Sequence, residues 1–282
     1  MIQVKNITKS FGGFQMKDLN VTFPDGYICG LVGRNGAGKT TLFHIMLDLY
    51  QVMEGCVEID GLTYEDQEKE IKGSIGVVMD EDLLNKGLSL LDNGKYLGGY
   101  YKSFDLEKYR KLLKDFNLKE KASYGALSKG QMLKAQFAFA LAINPKYLLL
   151  DEPTANFDPA FHKEFWKRLT EFVGDGERTV ILSTHITDEL DRRADYLVYL
   201  DQGEIVFEGD MESFRDTYRI ASGEKSKLRW LDKKDLIYLE EKEYTSRALV
   251  RYCESTQYEK GIEFTPATIE EVMYFYAKRG NQ

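Results

Sequence analysis

The stretch Tyr27-Ile-Cys-Gly-Leu-Val-Gly-Arg-Asn-Gly-Ala-Gly-Lys-Thr-Thr41 passes from unbroken apolar character into a glycine-rich turn. An apolar run without polar alternation predicts a strand buried on both faces, as in a parallel sheet. The turn fits the spacing G-x-x-x-x-G-K-[ST], and the apolar helical run 42–49 follows, so strand, loop and helix come in the order a phosphate-binding loop needs. Glycines at 33, 36 and 38 let backbone N–H groups turn inward toward phosphate oxygens. Lys39 supplies a point charge for the β and γ phosphates of a nucleotide, and the Thr40 hydroxyl suits Mg²⁺. Gly33, Asn35, Gly36, Ala37, Gly38, Lys39, Thr40 and Thr41 are therefore the loop's candidate nucleotide contacts. A mere glycine-rich turn with a stray lysine would need neither the buried strand nor the helix.

Three more runs, 75–79, 147–150 and 180–183, share the buried-strand character. The second ends in Asp151 and Glu152, and in α/β sheets ligands bind at the carboxyl ends of strands. The two acids suit different tasks. Asp151 can hold Mg²⁺ through its water shell, whereas Glu152 is placed to orient or deprotonate an attacking water.

Residues 2–8 and 19–23 alternate or carry β-branched side chains, with turns at Gly12-Gly13 and Pro24-Asp25-Gly26, which predicts an opening antiparallel meander. The stretch 83–143 is mostly helical in pattern, punctuated by Gly94, Gly98, Gly99 and Gly125, and reads as an inserted helical subdomain. Segments 196–200 and 204–208 form a hairpin through Asp201-Gln202-Gly203. From 216 onward the chain is charged, with short strand-like runs and a last helix over 268–278. The expected fold is α/β: a P-loop NTPase core with a mainly parallel sheet, an N-terminal antiparallel β meander, the helical insertion and a small C-terminal extension. The expected domains are 1–215 and 216–282.

The 282 residues are 43% hydrophobic and 30% charged, which excludes intrinsic disorder. A net charge of -8 with a pI near 5.2 argues against a broad nucleic-acid face, so no nucleic-acid partner is expected. No apolar run reaches the roughly 18 residues of a spanning helix. The N-terminal residues lack a signal-peptide pattern, so a cytoplasmic location is expected. Cys29, Cys56 and Cys253 have no metal-ligand spacing and read as small buried or incidental residues.

Phosphate loop and acidic strand together mean an NTPase; the residues between and after them narrow the family. Leu127-Ser-Lys-Gly-Gln131, ahead of the acidic strand and opening the helical run 131–142, resembles the Leu-Ser-Gly-Gly-Gln signature of the ABC ATPases. His185, after the 180–183 strand, stands where that family carries its switch histidine. Ala155-Asn-Phe-Asp158, directly after Asp151-Glu-Pro-Thr154, matches its D-loop, and Phe11 in Lys9-Ser-Phe-Gly12 stands where an adenine-stacking aromatic is expected. The resemblance covers residues 1–215 in order.

That resemblance implies an ATPase using ATP and Mg²⁺, paired head to tail with a second ATPase subunit, identical or different. Ser128 and Gly130 of one chain would meet the γ-phosphate held by Lys39 of the other, with Gln131 and Asp158 as further nucleotide contacts. The physical logic agrees: Ser128 at a helix start, beside free N–H groups, is an anion site, yet one chain's phosphate loop already holds its own anion. A lone histidine is most often structural, but in this constellation His185 reads as catalytic beside Glu152. The resemblance also implies an integral membrane permease subunit as partner, and hence a place at the cytoplasmic face of the membrane. A soluble ABC ATPase acting on ribosomes or DNA is the competing reading; such proteins usually carry two tandem motor domains, a long coiled-coil insertion or a basic arm. A protein holding ATP as a static ligand would not need Glu152 and His185.

Two positions depart from the family pattern. Lys129 replaces a glycine of the signature, either to help hold phosphate or to point into solvent. Asp80, with Glu81 and Asp82 behind it, ends the 75–79 strand where most relatives carry a glutamine that touches Mg²⁺ and the attacking water, so Asp80 joins Thr40 and Asp151 as a candidate metal ligand. The Asp80-type loop looks similar to bacterial ATPase subunits that export antimicrobial or amphipathic peptides, which makes export the expected direction. Leu83, Leu84, Leu88, Leu90, Leu91, Tyr96, Tyr100, Tyr101 and Phe104 are mostly subdomain core, with the aromatics left over to line a groove for a permease helix. Trp166 with Phe161, Phe165, Leu169 and Phe172 is core packing.

Overall fold

The computed structural model describes residues 1–154, 156–242, 245–252 and 261–280. The chain begins with β1 (Ile2–Phe11), β2 (Phe14–Phe23), β3 (Ile28–Val32), α1 (Lys39–Met46), β4 (Glu54–Ile59), β5 (Leu62–Thr63), α2 (Tyr64–Ser74) and β6 (Ile75–Val78). Three helices follow, α3 (Leu90–Gly98), α4 (Leu106–Asp115) and α5 (Lys129–Ala142), then β7 (Tyr147–Asp151), α6 (Pro159–Val173) and β8 (Thr179–Ser183). The remainder is α7 (Thr187–Arg193), β9 (Tyr196–Asp201), β10 (Glu204–Asp210), α8 (Met211–Thr217), β11 (Tyr218–Gly223), α9 (Lys225–Leu228), β12 (Leu236–Glu240), β13 (Ser246–Arg251), β14 (Glu263–Pro266) and α10 (Ile269–Arg279). Two compact units result: Met1–His185 with Val198–Val206, and Ile186–Leu197 with Phe207–Gln282.

In the first unit the expected meander is the antiparallel pair β1–β2, with β4 and β5 added in the order β2-β1-β4-β5. Residues 54–74, which the sequence pattern does not assign, supply β4, β5 and α2. The first half of β4 is exposed, so its sequence lacks the apolar run that marks the other strands. The second sheet has the order β10-β9-β3-β8-β7-β6, with β3, β8, β7 and β6 parallel. Strands β3, β7 and β8 are buried along their whole length, as their unbroken apolar runs require. Gln202 and Gly203 join β9 to β10 with φ 49° and 82°, the two positive values a tight hairpin turn needs.

Helices α3, α4 and α5 form the expected insertion between β6 and β7. Helix α5 is buried almost all round beyond its first turns, and Phe137 on it lies 5.8 Å from Phe116 and 4.9 Å from Phe165. Phe161, Phe165, Trp166, Leu169 and Phe172 are all buried on one face of α6, as their spacing predicts. Cys29 is buried and Cys56 exposed, both as free thiols, and Cys253 lies outside the described residues.

The second unit is built on an antiparallel sheet of order β12-β13-β11-β14. Ala221 and Ala248 pair across it and pack with Leu228, Leu231 and Val250 into a small apolar core. Thr268 and Glu271 cap α10 reciprocally, and the carboxylate of Asp191 on α7 accepts the Ile269 N–H at 3.2 Å. Burial raises the Asp191 carboxyl above its usual range despite that bond.

Candidate active site

The register of the parallel sheet assembles the site. Leu31 of β3 and Asp151 of β7 both pair with Ser183 of β8, so the segments beginning at Gly33, Glu152 and Thr184 leave the sheet at one level. The phosphate loop follows β3. Gly36 and Gly38 hold φ of 82° and 109°, and a Cβ on Gly38 would also lie 2.5 Å from Met16 Cε and 2.6 Å from Phe14 Cζ. Gly38 is thus required twice, by conformation and by space. Lys39, only 7% exposed, donates from Nζ to the Gly33 carbonyl at 2.8 Å. Burial pulls its pKa below the usual lysine value, against the opposing charges of Glu152 and Asp151.

The Asp151 carboxylate is buried and both its oxygens accept from hydroxyls: Oδ2 from Thr40 at 2.7 Å and Oδ1 from Ser183. Glu152 then turns the chain sharply, with φ 47° and its N–H donated to the Ser183 carbonyl at 3.1 Å. A left-handed glutamate is costly, and such strain collects where a side chain must be aimed. Glu152 Oε2 lies 2.6 Å from His185 Nδ1 and also accepts the His185 backbone N–H at 3.3 Å.

Beside this constellation a cleft of about 480 Å³ is lined by the phosphate loop, Glu152, Phe11, Phe14 and Tyr50. The Phe11 ring, 38% exposed, rests against Tyr50 at 5.3 Å, and Lys9 Nζ lies 4.8 Å from its centroid. The phosphates and the aromatic platform expected for a base therefore share one cleft. Phe14 and Tyr50 carry no motif: Phe14 pairs with Phe11 across the Gly12-Gly13 turn, whereas Tyr50 meets Phe11 only through the fold.

The signature lies elsewhere. Ser128 caps α5 by accepting from Gln131 N–H, while the Gln131 side chain accepts the Ser128 N–H at 3.1 Å. A Cβ on Gly130 would stand 2.3 Å from the Asn156 carbonyl, so this glycine lets the helix start touch the loop leading to Asp158. Asp158 caps α6 through the Phe161 N–H at 2.9 Å and pairs with Lys134 Nζ at 2.6 Å. The Lys134 hydrogen bond, with help from that backbone N–H, lowers its carboxyl to about 2. Ala155 lies outside the described residues. Among the described residues, Ser128, Gly130, Gln131 and Asp158 do not line the cleft that holds Lys39.

Asp80 is not gathered with Thr40 and Asp151 either. Its carboxylate pairs with Lys129 Nζ at 2.6 Å, in a separate cleft of about 370 Å³ shared with Glu81, Asp82 and Gln136. Lys129 thus neither points freely into solvent nor reaches this chain's phosphate loop. A third groove, about 350 Å³ and mostly apolar, is lined by Tyr64, Leu83, Leu97, Tyr100, Tyr101 and Phe139 among others. Leu84 and Leu90 are core as expected, whereas Tyr96 and Tyr100 are 59% and 74% exposed.

Residues 16–155 match the family model described as "ABC transporter". The ATP-binding protein of the tungstate uptake system of Peptoclostridium acidaminophilum is 35% identical over 219 residues, which span 76% of this chain and 99% of that protein. The chain belongs to the ABC transporter family. This ABC protein is the ATP-binding component, an ATPase whose hydrolysis of ATP drives transport. Nod factor export ATP-binding protein I of Sinorhizobium fredii is 33% identical over 74% of the ABC chain, which spans 62% of that protein. An ATP-binding cassette solved as a dimer in a post-hydrolysis state with ADP and Pi matches 75% of the ABC chain and 99% of its own, with TM-score 0.67 at 26% identity. Relatives that take up tungstate and export Nod factor do not single out peptide export, and the soluble ribosome or DNA reading is not favoured. Among the described residues of the ABC chain, no helix is long and apolar enough to cross a membrane.

Proposed function

We propose that this chain is the motor subunit of a transporter, that two such subunits pair head to tail around ATP, and that they act on a separate membrane permease at its cytoplasmic face. The observation that carries this reading is the Glu152–His185 contact of 2.6 Å, held beside Lys39, Thr40 and Asp151, while the signature stands outside that cleft. Lys39 and the loop N–H groups hold the phosphates. Thr40 and Asp151 are hard oxygen donors 2.7 Å apart, one of them anionic, a set that suits Mg²⁺. That ion, when bound, neutralises charge on the β and γ phosphates. Glu152 takes the proton of the attacking water, and His185 fixes the orientation of its carboxylate. Asp80, tied to Lys129, is left out of the metal set in this arrangement.

Ser128 and the free N–H groups of α5 complete the site of the second subunit, and Asp158 lies beside that contact. The groove around Tyr100 and Tyr101 receives a permease helix, since aromatic side chains in apolar grooves are effective anchors. Residues 216–282 form an accessory element to the ATPase domain. Cargo contacts lie on the permease, so the direction of transport is set there.

Mixing inactive variants tests the composite site. Lys39→Ala and Ser128→Arg each damage both sites of a homodimer. A mixed dimer has one site with neither change, so the mixture is expected to hydrolyse ATP faster than either variant does. A mixture no faster than its parents would sink the head-to-tail arrangement. Gly130→Ala is expected to lower turnover about tenfold or more while ATP still binds, because the new methyl must push the helix start off the Asn156 carbonyl. Turnover and an ATP titration of the same preparation check it.

A further inference from the structure

The two departures from the ABC pattern, Lys129 and Asp80, meet in the structure at 2.6 Å. Lys129 is the first residue of α5, where the helix dipole opposes a cation, and α5 has no acidic residue in its own first turn. Asp80 supplies the missing negative charge from the segment after β6. Of its acidic neighbours, Glu81 lies 3.4 Å from His44 Nε2 and Asp82 pairs with Lys86.

Gln136 stands two helical turns beyond Lys129 on the same face of α5. It is 3% exposed and grips the backbone on both sides of Asp80. Its Oε1 accepts the Met79 N–H at 3.1 Å, and its Nε2 donates to the Glu81 carbonyl at 2.6 Å and to the Tyr124 hydroxyl at 3.0 Å. Buried bonds of this kind are expensive to leave unmade, whereas the Lys129–Asp80 pair, with side chains 55% and 56% exposed, adds little stability. Gln136 therefore holds the segment to the helix, and the pair adjusts its outer end.

We propose that Gln136 and Lys129 are positioning residues that bind the 79–81 segment to the signature helix, so that the two move as one body and displacing Asp80 displaces Ser128. The consequence for turnover rests on Ser128 serving a second subunit's nucleotide; the mechanical link does not.

The test uses the full chain and two readouts. In amide hydrogen exchange without nucleotide, Gln136→Met is expected to speed exchange at Met79 and, to a similar degree, at residues 131 and 132, by about tenfold or more. Faster exchange at Met79 with the helix start unchanged would overturn the link. The second readout uses Asp80→Asn, Lys129→Met and the double variant, surface changes that fold even if Gln136→Met does not. Each single change is expected to lower kcat about threefold and leave KM for ATP within about twofold, with the double variant no worse than either. Effects that multiply in the double variant, or a loss that lies in KM, would show that the two side chains act separately and overturn the pairing. If instead the head-to-tail reading failed, the mixed-variant experiment would show no recovery while the exchange link persisted.

Discussion

Glu152→Gln is expected to keep ATP binding and to cut hydrolysis at least about 100-fold, the scale of losing a general base. The substitution changes little else. Glutamine has the same shape, and its amide oxygen can still accept the His185 backbone N–H that now reaches Oε2 at 3.3 Å. The left-handed backbone at φ 47° is kept, so any strain there is equal in both proteins. What is lost is the basic oxygen, and with it the proton acceptor beside the phosphate loop. ATP-bound pairs that cannot hydrolyse should then accumulate, visible as a larger species by size-exclusion chromatography. Turnover near the wild-type rate would mean that another group is the base.

What could be read from the sequence was what neighbours along the chain decide. The phosphate loop follows its strand and precedes its helix without a gap, so motif and context confirm each other within residues 27–49. Asp151 and Glu152 are likewise readable, because an apolar run that stops at two acids defines a strand and its ligand end together. The contacts that crossed the fold were not readable. Tyr50 supports Phe11 through a 5.3 Å ring contact between elements separated by the whole phosphate loop. Gln136 sits in Lys129-Gly-Gln-Met-Leu-Lys-Ala-Gln-Phe-Ala-Phe-Ala-Leu-Ala142, where it reads as one polar interruption of a buried helix. Burial demands that such an amide have partners, yet nothing local names Met79 and Glu81. The Lys129–Asp80 pair is a sharper case: both residues stood out as departures, and only the fold shows them in contact. Strand β4 escaped for the opposite reason, since its exposed first half carries no apolar pattern.

Lys39→Ala is expected to weaken ATP binding about 100-fold or more, because each charge-assisted hydrogen bond to phosphate is worth about 1.5–3 kcal/mol and this ammonium serves two phosphates. The surroundings enlarge the loss. Lys39 is the cation that Asp151 and Glu152 face, and without it the nucleotide's charge would meet two carboxylates. The fold itself should tolerate the change: the lost bond to the Gly33 carbonyl is offset by no longer burying a charge, so the melting temperature should hold within a few degrees. The wild-type protein offers an independent check through pH. Burial disfavours the charged form, so the nucleotide-free ammonium loses its proton below the usual lysine value of 10.5. ATP affinity should therefore begin to fall with rising pH before an ordinary lysine would titrate, and Lys39→Ala should lack that part of the profile. A titration showing unchanged ATP affinity in Lys39→Ala would remove Lys39 from the phosphate site and, with it, the reading of the loop.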